Sequence, residues 1–379
     1  MNFEFSEEQI MLRDSVARLV QDDYDFDTRR AIVDSDEGMS REKWQMFAEL
    51  GWLSIPFAEE HGGFGGSAVD VMLMMEQLGK GLVVEPYLAT VLLFGNLLQK
   101  GGSEALQGDY IPGIIDGSIL GAFAYLERQS RFELADIKTS AVAQGDAYVL
   151  NGEKVVVLNG ANADQVIVSA RTSGQQSDEQ GISLFLVAAD APGVERLTYR
   201  MMDGQLVANL VFNDVQVSAE QLVGELDAGY ALIEAVATEA NLALAAEALG
   251  IMEQLNAKTL EYTRTREQFG VPIGSFQALQ HRMVDTFMAY EQTRSLLYRA
   301  VCAMNDDQED VTTAVHALKV LVDRAGKQIF AEAIQLHGGM GLTDELDIGH
   351  YAKRLMMINT TFGNGDHHQA KFNALRYSD

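Results

Sequence analysis

One cysteine, Cys302, stands in the 379 residues of this chain. A single thiol excludes an intrachain disulfide framework and any cysteine-rich zinc or iron–sulfur site. Its apolar neighbours Leu296, Leu297, Val301 and Met304 predict a buried, unreactive thiol. Basic residues are also scarce. Against 55 Asp and Glu there are 28 Lys and Arg, a net charge of −27 that repels phosphate backbones and anionic headgroups. Nucleic-acid binding and membrane-surface binding are therefore not expected. No uninterrupted apolar run approaches the ~20 residues of a spanning helix. The longest, Leu82 to Leu98, is broken by Glu85 and Pro86, so no membrane insertion is expected. The opening residues Met1-Asn2-Phe3-Glu4-Phe5-Ser6-Glu7-Glu8 are acidic where a targeting signal would be basic, and a cytoplasmic location is the expectation.

Several chemistry-bearing motifs are missing as well. There is no G-x-S-x-G nucleophile elbow. The glycine run Gly62-Gly63-Phe64-Gly65-Gly66 lacks the G-x-G-x-x-G spacing and follows no strand, so it reads as a turn. Asp366-His367-His368 offers metal-ligand chemistry, but adjacent histidines project about 100° apart on a helix. With no second ligand cluster, no metal site is expected.

What is present is a folded composition, 47% hydrophobic and 22% charged, of a length suited to two or three packed regions. Residues 1–117 read as helical, opening with Ser6 and Gln9 at capping-box spacing and continuing with Leu12, Val16 and Leu19 at helical intervals. Residues 118–222 read as β: Ala147–Leu150, an Asn151-Gly152 type I′ turn and a returning strand Val155–Val157, then Val166–Val168, Leu184–Val187 and Leu210–Phe212. Residues 223–379 return to the helical period, with Leu242, Ala245, Ala246, Leu249 and Met252 on one face. Strands bunched between two helical regions predict an α+β protein, not a Rossmann or TIM architecture.

Two segments of the last third carry more than scaffold. Arg264-Thr265-Arg266-Glu267-Gln268-Phe269-Gly270, running on to Gln277, sets cations, an aromatic ring and an amide beside a glycine-bearing turn. That set suits a diphosphate and a ring. Gln335-Leu336-His337-Gly338-Gly339-Met340-Gly341 ends a helical run with glycines whose amides a ligand could approach closely. Each alone is more often a helix C-cap and loop than a site.

Together with Gly51-Trp52, Pro56, the glycine run and the α–β–α order, these segments resemble the acyl-CoA dehydrogenase family over essentially the whole chain. The resemblance implies a helical N-terminal domain, a central β-barrel-like domain and a C-terminal four-helix bundle. It implies FAD, with the adenosine diphosphate half held by the neighbouring subunit. On the family's R-x-x-F-G…Q and Q-x-x-G-G motifs the matching residues are Arg266, Phe269, Gln277, Gln335, Gly338 and Gly339. It implies an acyl-CoA substrate and, as electron acceptor, an electron-transferring flavoprotein.

The reaction of the family needs a carboxylate to take the α-proton while the β-hydrogen leaves as hydride to the flavin. In many members that carboxylate is a Glu in the loop before the last helix, and Gly363 stands in its place. In others it lies on an earlier helix, at the position of Ala240, next to Glu239. Glu239 and Asp366 are thus the candidate bases; Asp366 also reads as the N-cap of the last helix. The family's Thr-Glu-Pro becomes Leu126-Glu127-Arg128, its Gly-Ser-Asp becomes Arg131-Phe132-Glu133, and its Trp-Ile-Thr becomes Val156-Val157-Leu158. The groups lent to a neighbour's FAD are retained and those serving the chain's own flavin ring are lost. The ending Gly363-Asn364-Gly365-Asp366-His367-His368 resembles the small-subunit type of heteromeric acyl-CoA dehydrogenases of pimeloyl-CoA and steroid side-chain oxidation. The expectation is a chain that works with a homologous catalytic partner subunit; the alternatives are a self-sufficient homo-oligomer and a non-catalytic scaffold.

Overall fold

The computed structural model describes residues 5–306 and 310–377; the first four residues of the acidic opening, Met1–Glu4, lie outside them. The described residues group into two compact units. One is drawn from Met1–Ala31, Ser67–Val83 and Asn241–Asp379, the other from Ile32–Gly66 and Val84–Ala240.

Helix α1 (Glu7–Asp23) begins at the expected capping box. The Ser6 hydroxyl accepts the Gln9 N–H at 3.2 Å, and Oε1 of Gln9 accepts the Ser6 N–H at 3.1 Å. Val16 and Leu19 on its inner face are buried. α2 (Phe26–Asp34), α3 (Arg41–Glu49) and α4 (Ala68–Lys80) follow, the last two capped by Ser40 and Ser67. The glycine run is a turn, as expected: a side chain on Gly63 would overlap the carbonyl of Phe57, and Gly66 donates to the Ile55 carbonyl at 2.7 Å. Tyr87–Gly95 is π-helical and wholly buried, and it runs into α5 (Asn96–Gly101) before α6 (Glu104–Ile115). The apolar run Leu82–Leu98 is thus interior packing.

The β region is one eight-stranded sheet: β1 (Gly121–Ala124), β2 (Ser140–Gln144), β3 (Ala147–Leu158), β4 (Gln165–Arg171), β5 (Ile182–Ala188), β6 (Val194–Arg200), β7 (Leu206–Ser218) and β8 (Leu222–Val223). Its order is β6-β7-β3-β2-β4-β5-β8, with β1 parallel to β4. Leu150, Val166, Val168, Phe185, Leu210 and Phe212 form its apolar core.

Asn151-Gly152 is not the predicted hairpin turn. Both residues lie inside the continuous strand β3, at a shift of register against β7, and the hairpin turns at Gly145-Asp146 instead. The Asn151 side chain is absorbed by Asp214, donating to its carboxylate at 3.0 Å and accepting its N–H at 2.9 Å. A bulge and a tight turn draw on the same residue types, and only the partner strand distinguishes them.

The last third is α7 (Gly229–Thr265), a small hairpin of β9 (Glu267–Gln268) and β10 (Val271–Pro272), α8 (Gln277–Asn305), α9 (Val311–His337), α10 (Ile348–Thr360) and α11 (Gly365–Tyr377). The predicted apolar face of α7, Leu242 to Met252, is buried. α7 is long and apolar enough to cross a membrane by length and composition, but 83% of its apolar window is buried inside the protein. Gly79 and Gly250 lie against the carbonyls of Glu247 and Glu76, so α4 and α7 meet backbone to backbone. Cys302, expected buried, is half-buried on α8.

Candidate cofactor clamp and acid–base position

α7 ends in a turn that presents the first candidate segment. The Arg266 N–H donates to the Tyr262 carbonyl at 2.8 Å, and the Ile273 N–H closes back onto the Arg266 carbonyl at 2.8 Å. Between β9 and β10 the chain reverses through Phe269 and Gly270, with φ of +58° and +80°, as a type I′ turn requires. A phenylalanine in this left-handed region costs about 1 kcal/mol or more. The residue is nonetheless 91% exposed, its ring meeting only the edge of the partly exposed Phe276 at a centroid distance of 6.1 Å.

The second segment closes α9. The Gly338 N–H donates to the Gln335 carbonyl, and Gly338 takes φ +59°, ψ −138°, a conformation open only to glycine. Nothing lies within 4 Å of the place a Cβ would take on Gly338 or Gly339. The two glycines form a bare backbone cradle, exposed together with Gln335, Arg266 and Gln277.

The candidate bases are held differently. Oε1 of Glu239 is 2.8 Å from Nζ of Lys100, and Oε2 accepts from Nδ2 of Asn96 at 3.0 Å. This is a paired carboxylate, not the isolated, desolvated group that α-proton abstraction calls for. Ala240 beside it is buried. Asp366 is exposed in the first turn of α11. It is not the cap of that helix; Oδ1 of Asn364 accepts the His367 N–H at 3.0 Å and serves as cap.

At Gly363 the structure reveals a cluster that the sequence did not announce. Gly363 has φ +121°, and a Cβ there would stand 2.6 Å from Cδ2 of His367 and 2.8 Å from Nε2 of His368. His368 is 1% exposed and shares a 2.8 Å Nδ1–Nδ1 contact with His316 of α9. Burial lowers the pKa of both rings, to about 4 for His316 and about 2 for His368, so both are neutral at pH 7. Beside them the buried Lys319 amino group donates to the carbonyls of Ile358 and Thr361 at 2.9 and 3.0 Å, tying α9 to the end of α10. Asp323 occupies the space of a side chain on Gly365. His316, Lys319 and Asp323 lie 40–47 positions upstream of Gly363, and no local pattern links them to it.

The positions expected to serve the flavin ring are built as scaffold. Glu127 lies 2.8 Å from Nζ of the fully buried Lys154 and also accepts the N–H groups of Lys138 and Thr139. Burial alone would raise the Glu127 pKa, but the Lys154 charge and these hydrogen bonds outweigh it and bring it down to about 2. Arg128 makes a bidentate pair with Glu153 at the surface. Val156 has φ +51° at a second register shift between β3 and β7, its N–H held by Oδ1 of Asn209 at 3.1 Å. A β-branched residue in that conformation is a genuine outlier. Trp44 and Trp52 are buried around Phe47 and supply no ring elsewhere.

Family models for the N-terminal, middle and C-terminal domains of acyl-CoA dehydrogenases match residues 6–118, 122–215 and 227–370. A probable acyl-CoA dehydrogenase, YngJ of Bacillus subtilis, is 30% identical over 353 residues, 92% of each chain. Among solved structures, PigA with FAD and proline superposes with a TM-score of 0.92 at 28% identity, over 99% of each chain. The ChsE4–ChsE5 complex from Mycobacterium tuberculosis does so with a TM-score of 0.90 at 26% identity, over 100% of each chain. The chain belongs to the acyl-CoA dehydrogenase family. Its fold is that of the family and its cofactor is FAD.

Proposed function

We propose that this chain is one subunit of a heteromeric FAD-dependent acyl-CoA dehydrogenase, which introduces an α,β double bond into an acyl-CoA thioester and passes its electrons to an electron-transferring flavoprotein. In this reading it lends a clamp to the FAD of a homologous catalytic subunit. FAD, when bound, supplies the hydride acceptor. Arg266 sets a cation on the diphosphate, the amides of Gly338 and Gly339 approach it without a side chain between, Gln277 and Gln335 add amide contacts, and Phe269 covers a ring.

The observation that carries the reading is outward exposure. Phe269 is 91% exposed in a strained conformation and the glycine cradle is open, so these groups are formed for a surface other than their own chain's. Two further observations favour a helper over a self-sufficient enzyme. The family's base position is closed by His367 and His368, and Glu239 is tied to Lys100 and Asn96.

Purification of the chain alone tests this. The expected result is a protein without acyl-CoA dehydrogenase activity, to which a catalytic subunit restores activity, and in which Arg266→Ala abolishes the restoration. A yellow protein with one FAD per chain that oxidises acyl-CoA unaided would overturn the helper reading. In that case loss of rate in Glu239→Gln or Asp366→Asn would identify the base.

A further inference from the structure

The two clamp segments are far apart in sequence, yet a ring contact joins the helix ends that carry them. The rings of Tyr262 and His337 stack with centroids 4.4 Å apart and planes inclined by 29°. Tyr262 lies in the last turn of α7, and its carbonyl accepts the N–H of Arg266, the residue that follows the helix. His337 is the last residue of α9 and immediately precedes Gly338. The stack therefore sits one helical turn from the guanidinium-bearing segment and one residue from the glycine cradle.

The imidazole is held in one orientation. Its Nδ1 is 2.7 Å from the Ala333 carbonyl, and since a carbonyl only accepts, Nδ1 carries the hydrogen. The ring is 4% exposed, and its burial keeps it neutral at pH 7. A second tie lies one turn back on α7, where Lys258 pairs at 2.8 Å with Asp347, just before α10. That pair is partly exposed and contributes little by itself. The stack is the buried, directional element of the brace.

We propose that Tyr262 and His337 are positioning residues for the cofactor clamp, their stack setting the spacing between the Arg266–Phe269 turn and the Gly338–Gly339 cradle so that one nucleoside diphosphate spans both. This inference rests on the clamp reading given above. It assigns a function to the histidine within the glycine motif and to a tyrosine outside either motif. A preset spacing means that binding does not have to order two independent chain ends, and the benefit appears as affinity.

The test is FAD affinity, with ADP as competitor, measured on the full chain in the assembly in which it purifies. His337→Ala is expected to weaken FAD and ADP binding by about tenfold, as loss of preorganisation does, and to lower the melting temperature of the FAD-free protein through the cavity it leaves. His337→Phe keeps a flat ring and is expected to stay within about twofold of the parent protein. Tyr262→Leu, which keeps apolar bulk and loses the stack, is expected to behave like His337→Ala and replaces it should that variant fail to fold. Unchanged affinity in His337→Ala, or in Tyr262→Leu where that stands in, while Arg266→Ala weakens binding, would overturn the positioning role and leave the clamp standing. Unchanged affinity in Arg266→Ala would instead remove the clamp itself. Equal weakening by His337→Phe and His337→Ala would also overturn the proposal, because a stacking role is met by either ring.

Discussion

A Cβ on Gly363 would stand 2.8 Å from Nε2 of His368. Gly363, which the family resemblance sets at the carboxylate position, is therefore not an open place from which a side chain has been trimmed. The buried histidine occupies the direction in which that side chain would leave the backbone, and φ of +121° reserves the position for glycine.

Gly363→Glu is accordingly expected not to create activity in the chain alone and to destabilise it by about 2–4 kcal/mol, through overpacking and an unfavourable φ. Urea unfolding measures the loss. Wild-type stability together with new acyl-CoA dehydrogenase activity would refute this view of the loop.

The His316–His368 pair predicts acid sensitivity. Both folded-state pKa values lie below the ordinary histidine value of 6.5, so the unfolded chain binds more protons between about pH 4 and 6.5. Stability from this source is complete above pH 6.5 and falls as the pH is lowered. Between pH 7 and 5 the loss should be about 2 kcal/mol, discounted for the partial exposure of His316. A double replacement His316→Asn, His368→Gln should flatten that part of the pH profile, whatever its effect at pH 7.

Lys319 predicts the opposite end of the pH scale. Burial lowers its pKa to about 7, against about 10.4 in the unfolded chain. A neutral amine has two N–H donors, matching the carbonyls of Ile358 and Thr361 that face it. Across pH 7 to 10 the unfolded chain binds more protons, so this residue's contribution to stability should grow as the pH rises. Lys319→Met should remove that growth and, by leaving two buried carbonyls unpaired, cost about 2 kcal/mol or more at pH 8.

The Glu127–Lys154 pair should resist acid longer than other carboxylates. The folded Glu127 pKa of about 2 lies below its unfolded value, so the stabilisation is present above about pH 4.3 and is lost as the pH falls toward 2. Lys154→Met leaves a buried carboxylate without its cation and should cost about 3–5 kcal/mol, whereas replacing both partners with apolar residues of similar volume should cost much less. A thermal-denaturation cycle over the two single and the double replacement decides this.

The α–β–α order, the capping box at Ser6, the turn at Gly62–Gly66 and the buried face of α7 were legible in the sequence, because caps, glycine clusters and 3.6-residue periodicity act between neighbours along the chain. The glycine-bearing turns at Phe269–Gly270 and Gly338–Gly339 were legible in two short motifs, since a turn is local as well; that they clamp a cofactor belongs to the proposal. Contacts between distant segments were not. Asn151-Gly152 has turn composition, but its pairing with Asp214 of β7 makes it a bulge. Asp366 is as good a capping residue as Asn364, and only the backbone path gives the cap to Asn364. The packing of His316, Lys319 and Asp323 around Gly363 and Gly365, and the stacking of Tyr262 on His337, were decided by the tertiary structure alone. Alone, the sequence determined that a carboxylate is missing from the loop before the last helix. That the place is filled, and by which groups, follows from helices that meet only once the chain has folded.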